Sequence, residues 1–296
     1  MKRRLLITFL LGCLLPFAVQ AQHGTFRFAQ ITDIHFSPNN PNPTEDLLRS
    51  VAQINAIDSI DFVLVTGDIT EEGDRATMLK VKETLDLLKA KYYVILGNHE
   101  TKWSDSGCTA FGEIFGGERF EFEHKGILFL GFNSGPLMRM AYGHVVPQDI
   151  RWMTEEMDKF GKDKPVILVT HYPLLDGDVD NWYEVTDAVR PYNIRLFIGG
   201  HYHRNRDLRY DGIPGILMRS NLRDKDGKPG YGIYDITKDS ILVYTQRIGE
   251  PKKQWAAFSL TQPHYDRNGK AEKYPDFSVN TEYPLSLIHI SEPTRH

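Results

Sequence analysis

The sequence predicts an α/β fold, and three observations carry that prediction. Short continuous apolar runs recur along the chain, as in Phe62-Val63-Leu64-Val65 and Val166-Ile167-Leu168-Val169, the pattern of strands covered on both faces. Stretches with apolar residues at helical spacing lie between them. The runs stop at clusters rich in Asp, Asn and His: Asp33-Ile34-His35, Gly67-Asp68, Gly97-Asn98-His99-Glu100, His171 and Gly199-Gly200-His201-Tyr202-His203. A β-α-β-α-β beginning implies parallel strands with right-handed crossovers. Sites in such sheets gather beyond the carboxyl ends of the strands, which is where all these clusters fall.

Residues 25–32 are the first strand. Pro41 to Thr44 reads as a turn, with Thr44 as N-cap, Glu45 and Asp46 in the first helical turn, and Leu47, Leu48, Val51, Ile54 and Ile57 on the apolar face. Residues 62–65 are the second strand. Asp74 caps a helix carrying Met78, Val81, Leu85 and Leu88, and residues 92–96 form the third strand. Residues 103–117 are a Gly- and Ser-rich excursion with one short helix. Residues 119–124 and 127–132 pair as a hairpin across Lys125-Gly126. Residues 133–144 are a loop, and Pro147 starts a helix with Ile150, Met153, Met157 and Phe160 on one face. A strand at 166–169 ends at His171, and a helix near 179–189 leads to the strand before Gly199. After His203 the pattern turns to short strands at 208–210, 215–219, 230–236, 240–246 and 255–260.

The 296 residues suffice for one large domain, assigned to residues 22–260. Residues 1–21 read as a secretory signal: basic Lys2-Arg3-Arg4, an apolar core, a break at Pro16, and Val19-Gln20-Ala21 for cleavage. The core is short for a membrane span. Leu10-Leu11-Gly12-Cys13 offers a second reading, a bacterial lipobox with Cys13 as lipid acceptor. The mature chain is therefore expected outside the cytoplasm, in a bacterial periplasm or envelope, with no transmembrane helix. Net charge is −4, and losing Lys2, Arg3 and Arg4 takes it to −7, which argues against duplex nucleic acid or an anionic membrane as partner. Only Cys108 remains in the mature chain, so no internal disulfide forms, and a buried inert thiol is expected. Residues 261–284 read as a linker to a further domain that is missing here. Residues 285–296 resemble a translated sequencing adapter, and His289 and His296 are set aside from site reasoning.

Asp-x-His, Gly-Asp, Gly-Asn-His-Glu, His and Gly-His-x-His, in that order and each at a strand end, resemble the calcineurin-like metallophosphoesterase family over residues 25–250. The resemblance implies a two-sheet β-sandwich flanked by helices and two divalent metal ions, drawn from Mn, Fe, Zn or Co. By motif position one ion takes Asp33, His35, Asp68 and His203, and the other takes Asp68, Asn98, His171 and His201. The residue types suit that chemistry. A carboxylate can bridge two cations, and imidazole and amide ligands add no charge, so the site stays cationic toward a phosphoester. The implied reaction is attack on phosphorus by a hydroxide bridging the metals, with Asp68 as bridge and His99 protonating the leaving oxygen or stabilising its charge.

Several residues depart from related patterns. Gly67-Asp68-Ile69-Thr70-Glu71-Glu72-Gly73 has Glu72 where protein Ser/Thr phosphatases carry a phosphate-holding Arg, and Glu71 where purple acid phosphatases carry an iron-bound Tyr. Glu71 is either an orienting partner of His99 or an exposed acid at a helix entrance. Tyr172, Tyr202, Trp103 and Trp182 border the motifs and either stack on a base or sugar or pack as walls. Arg139 and Tyr142 are candidate substrate contacts. The expected function is an exported metal-dependent phosphoric ester hydrolase acting on a small, possibly nucleotide-like, mono- or diester. The alternative is a non-catalytic binding module of a larger envelope protein.

Overall fold

The computed structural model describes residues 23–136, 139, 141–262 and 265–268. The expected signal, Cys13, the adapter-like tail and most of the expected linker lie outside the described residues. Two mixed six-stranded sheets pack face to face and carry helices on their outer sides.

The first sheet grows from the amino-terminal crossovers. β1 (Phe26–Ile31), β2 (Phe62–Thr66) and β3 (Lys91–Ile95) are parallel neighbours, linked by α1 (Asn42–Asn55) and α2 (Arg75–Leu85). On the other side of β1 lie β10 (Gly230–Ile236), β11 (Ser240–Arg247) and β12 (Lys253–Ser259), all antiparallel. The second sheet has the order β4 (Phe120–His124), β5 (Ile127–Gly131), β6 (Val166–Val169), β7 (Ile194–Gly199), β9 (Ile213–Leu217), β8 (Arg206–Tyr210). Here β5, β6, β7 and β9 run parallel, while β4 and β8 close the edges antiparallel. Two short helices, α3 (Asn98–Lys102) and α4 (Thr109–Phe115), follow β3, and α5 (Pro147–Phe160) and α6 (Trp182–Val189) cover the second sheet.

The continuous apolar runs have a simple cause. In β2, Leu64 faces the inter-sheet core with Phe28, Phe129, Ile167 and Ile198, while its neighbours Val63 and Val65 face α1 and α2 with Leu47, Val51, Met78 and Val81. Both faces are covered, so neither tolerates polar residues. Stacked rings fill the inter-sheet layer, among them Phe28 on Tyr234 at 4.4 Å and Phe122 on Phe129 at 4.9 Å. Gln30 is fully buried and joins the sheets: its amide donates to Thr66 Oγ1 (2.8 Å) and to the Gly199 carbonyl at the end of β7 (2.9 Å).

Two local expectations change. Thr44 is not the cap of α1. The helix begins at Asn42 after Pro41, with Pro in its first turn and no side-chain cap. Asp46 instead turns inward, fully buried, and accepts from Arg223 Nε and the Arg223 backbone N–H, each at 2.8 Å. Beyond the third strand, where the sequence named no element, Gly97-Asn98-His99-Glu100 opens into α3. Tyr265, in the stretch expected as a linker, is buried; its hydroxyl donates to the Tyr192 carbonyl (2.6 Å) and accepts from Ile194 N–H (2.8 Å). Asp74 does cap α2, accepting from Thr77 N–H at 2.9 Å.

Candidate metal centre

Every predicted ligand sits just past a strand, and the two sheets bring those ends together. Asp33 and His35 follow β1, Asp68 follows β2, Asn98 follows β3, His171 follows β6, and His201 and His203 follow β7. Nine described non-glycine residues have positive φ, and five of them are Asp33, His35, Asp68, His201 and His203. Left-handed backbone costs a non-glycine residue about 1–2 kcal/mol, so the fold concentrates strain where side chains must turn inward. Two glycines allow the close approach. A Cβ on Gly97 would lie 2.1 Å from Asp68 Oδ1, and one on Gly200 would lie 2.1 Å from Thr32 Oγ1 and 2.6 Å from Asp33 Oδ2.

The donors form two adjoining groups. In the first, His203 Nε2 is 3.3 Å from Asp33 Oδ1 and 3.0 Å from His35 Nε2, and His35 Nε2 is 3.8 Å from Asp68 Oδ2. In the second, His171 Nε2 is 3.2 Å from Asp68 Oδ2 and 3.1 Å from Asn98 Oδ1, with His201 completing the Asp68–His171–His201 cluster. Ligand atoms about 2.1 Å from one cation lie roughly 3.0–3.4 Å apart in octahedral or tetrahedral coordination. The donor spacings and the nitrogen–oxygen mix therefore fit two divalent ions with Asp68 between them. His171 Nδ1–H donates to the Thr66 carbonyl at 2.7 Å, which leaves Nε2 as the metal-facing atom.

Charge is unevenly shared among these groups. Burial would raise the Asp68 carboxyl, but His171, His99 and His35 hold it well below the usual carboxylate range. Burial would lower His171, but the Asp68 carboxylate outweighs it and the imidazole is pushed up to about 9. A cation bound at Nε2 takes the place of that proton. Burial, with His171 beside it, pulls His201 down to about 3. Burial lowers His35, and the bond to Asp33 raises His203.

Residues 26–205 match the family described as Calcineurin-like phosphoesterase. The chain belongs to the calcineurin-like phosphoesterase family. YvnB of Bacillus subtilis, an uncharacterised protein, is 28% identical over 215 residues, covering 64% of this chain but only 16% of its own length. A probable glycerophosphodiester phosphodiesterase, GpdQ of Arcobacter nitrofigilis, is 26% identical over 280 residues, covering 81% of this chain and 97% of the relative. Among solved structures, a dimetal phosphatase from Danio rerio superposes with a TM-score of 0.61 at 14% identity, covering 77% of this chain and 98% of that one; that likeness concerns the fold. The family is one of metal-dependent phosphoric ester hydrolases, and the paired donor clusters here agree with that chemistry.

Within this phosphoesterase centre, Glu71 has two tasks. Its carboxylate accepts from His35 Nδ1–H at 3.0 Å, and its backbone carbonyl accepts from His99 Nδ1–H at 2.6 Å. The two sequence readings of Glu71, an orienting partner of His99 or an exposed acid, both meet the structure: it is half-exposed, it holds His99 through its backbone, and its carboxylate serves His35. His99 Nε2 then points inward, 3.9 Å from Asp68 Oδ2, while the His99 backbone N–H donates to Asp68 Oδ1 at 2.9 Å.

Glu100 went unassigned from sequence although it closes the Gly-Asn-His-Glu motif. It is fully buried, accepting from Thr70 N–H and Thr70 Oγ1 at Oε1 and from Gly97 N–H at Oε2, each at 2.9 Å. Burial, reinforced by Asp68, pushes its carboxyl up. Asp178 was also missed: it accepts from Tyr202 OH at 2.6 Å and lies 3.9 Å from His201 Nε2. Its place at the end of the Gly-Asn-His-Glu motif was the available signal for Glu100; none existed for Asp178.

An open crevice of about 680 Å³ leads to the centre, lined by His35, Asp68, Asn98, His99, His201 and His203 on one side. The four bordering aromatic residues are not part of its lining. Tyr172 is buried, 4.1 Å from the His201 ring; Tyr202 is tied to Asp178; Trp103 lies under Arg139, and Trp182 packs among the residues covering the second sheet. Arg139 donates to the Lys102 carbonyl and Tyr142 is exposed, so neither lines the crevice. Cys108 is half-buried and pushed up to about 12 by burial, as an inert thiol should be. No helix among the described residues is long and apolar enough to cross a membrane.

Proposed function

We propose that the chain hydrolyses a small phosphodiester with two divalent cations held at the joined strand ends. Asp33, His35, Asp68 and His203 would hold one, and Asp68, Asn98, His171 and His201 the other. Mixed nitrogen and oxygen donors suit Mn, Fe, Zn or Co. The observation that carries the reading is the convergence on Asp68: His171 at 3.2 Å, His35 at 3.8 Å and His99 at 3.9 Å reach one carboxylate oxygen from three separate strand ends.

Bound cations supply a Lewis acid for the phosphoryl oxygen and make a water acidic near neutral pH. The chain's own residues do the rest. Asp68 and Asn98 hold fixed oxygens toward the crevice floor, and His99, its Nδ1–H held by Glu71, presents Nε2 to the leaving oxygen. Carrying a proton on Nε2, His99 delivers it as the ester bond breaks. A diester is favoured over a monoester dianion by charge. Beyond the ligands, Arg223 is the single guanidinium or ammonium in the crevice lining, already bound by Asp46 and Glu45, and Glu71 adds negative charge. The GpdQ relative, by its name a diesterase, agrees.

Hydrolysis of bis(4-nitrophenyl) phosphate against 4-nitrophenyl phosphate, with and without Mn²⁺, tests this. Metal-dependent turnover of the diester is expected. Folded protein inactive with Mn, Fe, Zn and Co would remove the proposal, and turnover of the monoester alone would remove its diester part. We also infer export to a bacterial periplasm or envelope, supported by the basic, apolar and cleavage regions of residues 1–21. Mass analysis of the chain from cell fractions checks it: a cytoplasmic chain retaining residues 1–21 overturns the inference, and a lipid on Cys13 would favour anchoring there.

A further inference from the structure

We propose that a second cleft, between α4 and the start of α5, binds a small organic cation with several N–H donors, such as a linear polyamine. The cleft measures about 890 Å³ and shares no lining residue with the crevice that leads to the metal centre. The proposal stands apart from the phosphodiesterase reading and does not depend on it.

Asp149 carries the inference. It lies in the first turn of α5, its side chain is only 8% exposed, and it lines the cleft. Its carboxylate accepts no hydrogen bond from the described residues, and its one ion-pair partner among them is Arg119 Nη1 at 3.4 Å. That guanidinium lies over the Trp152 ring, 5.2 Å from its centroid. Burial raises the Asp149 carboxyl, the pull of Arg119 falls short of reversing the rise, and Glu118 adds to it. An ionised carboxylate offers about four lone-pair positions, and a buried one without donors is destabilising. A donor from a bound molecule supplies what Asp149 lacks.

The surroundings define the class of that molecule. Glu113 and Glu118 also line the cleft, the first paired with Arg75 outside it and the second accepting from Asn133 Nδ2 at 2.9 Å. Against these three acids, Arg119 is the single guanidinium or ammonium in the described lining. Three positions without side chains keep the space open: a Cβ on Gly107, Gly112 or Gly116 would meet no heavy atom within 4 Å.

Other ligands fit poorly. An anion would meet the three carboxylates. A quaternary ammonium needs aromatic faces, and the described lining has no Phe, Tyr or Trp. A divalent metal needs several converging donors, and none of the clusters that could hold one among the described residues includes these acids. An amine answers both the charge and the missing hydrogen bonds. A single ammonium, close in size to a water at about 30 Å³, would leave most of the cleft empty, so several amines on one flexible chain suit it.

The test is calorimetric titration of spermidine into the Mn²⁺-loaded protein at fixed ionic strength. Saturable binding is expected, and tetramethylammonium, which has no N–H donor, should not bind. Asn in place of Asp149 (Asp149→Asn) should weaken spermidine about ten-fold or more, the scale of one charge-assisted hydrogen bond. Gly112→Leu keeps every acid, replaces a residue that helices disfavour and fills open space. It should abolish binding while leaving the melting temperature at or above that of the parent, and it decides alone if Asp149→Asn does not fold. Absence of saturable binding at millimolar spermidine, binding unchanged in Gly112→Leu or in folded Asp149→Asn, or tetramethylammonium bound as tightly as spermidine each overturns the site.

Discussion

The Glu71 carboxylate accepts a hydrogen bond from Nδ1–H of His35 at 3.0 Å, and on the far side of that ring Nε2 lies 3.0 Å from Nε2 of His203. One acid thus fixes the tautomer of a predicted ligand and aims its free nitrogen at the other ligands. Removing such a partner typically weakens metal binding 10- to 100-fold. Glu71 is 48% exposed, so the lower end applies. Glu71→Ala is expected to weaken one of the two cations about ten-fold, read as metal stoichiometry during stepwise chelation. Glu71→Gln should lose less, since its amide oxygen still accepts. Unaltered retention of both ions in Glu71→Ala would show that the bond has no orienting role.

His99 contributes no atom to either proposed ligand set, yet its Nε2 faces the same carboxylate oxygen. His99→Ala should lower kcat about 10²- to 10³-fold with metal content intact, because the backbone N–H that donates to Asp68 is retained. The loss should be larger for an alkyl leaving group than for 4-nitrophenolate, which departs without help. Equal losses on both would contradict proton delivery.

Glu100 answers two buried backbone N–H groups and one hydroxyl. Glu100→Ala leaves those donors unsatisfied, and the cost should be about 2–4 kcal/mol. Glu100→Gln sets an NH₂ group against at least one of the N–H donors and should also destabilise. Denaturant midpoints measure both, and a shift near zero in Glu100→Ala would mean that water replaces the carboxylate.

Asp235 sits opposite Arg27 across the β1–β10 pair, accepting from Arg27 Nε and, at 2.6 Å, from Lys252. Burial would raise its carboxyl, but the bonds from Arg27 and Lys252 win and lower it. A depressed carboxylate stabilises above its unfolded pKa of roughly 3.9, and that stability drains as pH falls through the lower folded value. Asp235→Asn should therefore cost about 1–2 kcal/mol at pH 7, and the gap to the parent should close below about pH 4. A gap independent of pH would assign the loss to packing.

Much of this was legible in the sequence because backbone geometry ties a residue's place to its strand. Asp33, Asp68, Asn98, His171 and His201 each follow a largely apolar strand, continuous and covered on both faces in Val63-Leu64-Val65. Parallel strands in register leave their carboxyl ends level. The Asp74 cap and the Lys125-Gly126 hairpin were readable for the same reason: their signals are local. Thr44 failed because Pro41 and Pro43 started the helix earlier, and Asp46 found a distant partner in Arg223.

By itself, then, the order of residues determined the strands, the helices and which side chains stand at the strand ends, since those follow from periodicity and from neighbours a few positions apart. Only the folded chain decided that β10 would pair with β1 some 200 residues away (Arg27 with Asp235, |i−j| = 208), that Glu71 would serve His35 as well as His99, and that the crevice would be walled by Asn40, Asn42 and Arg223 rather than by Tyr and Trp. Those outcomes depend on how two sheets slide and pack over a shared apolar layer, a balance among many small contacts that no short window of sequence contains.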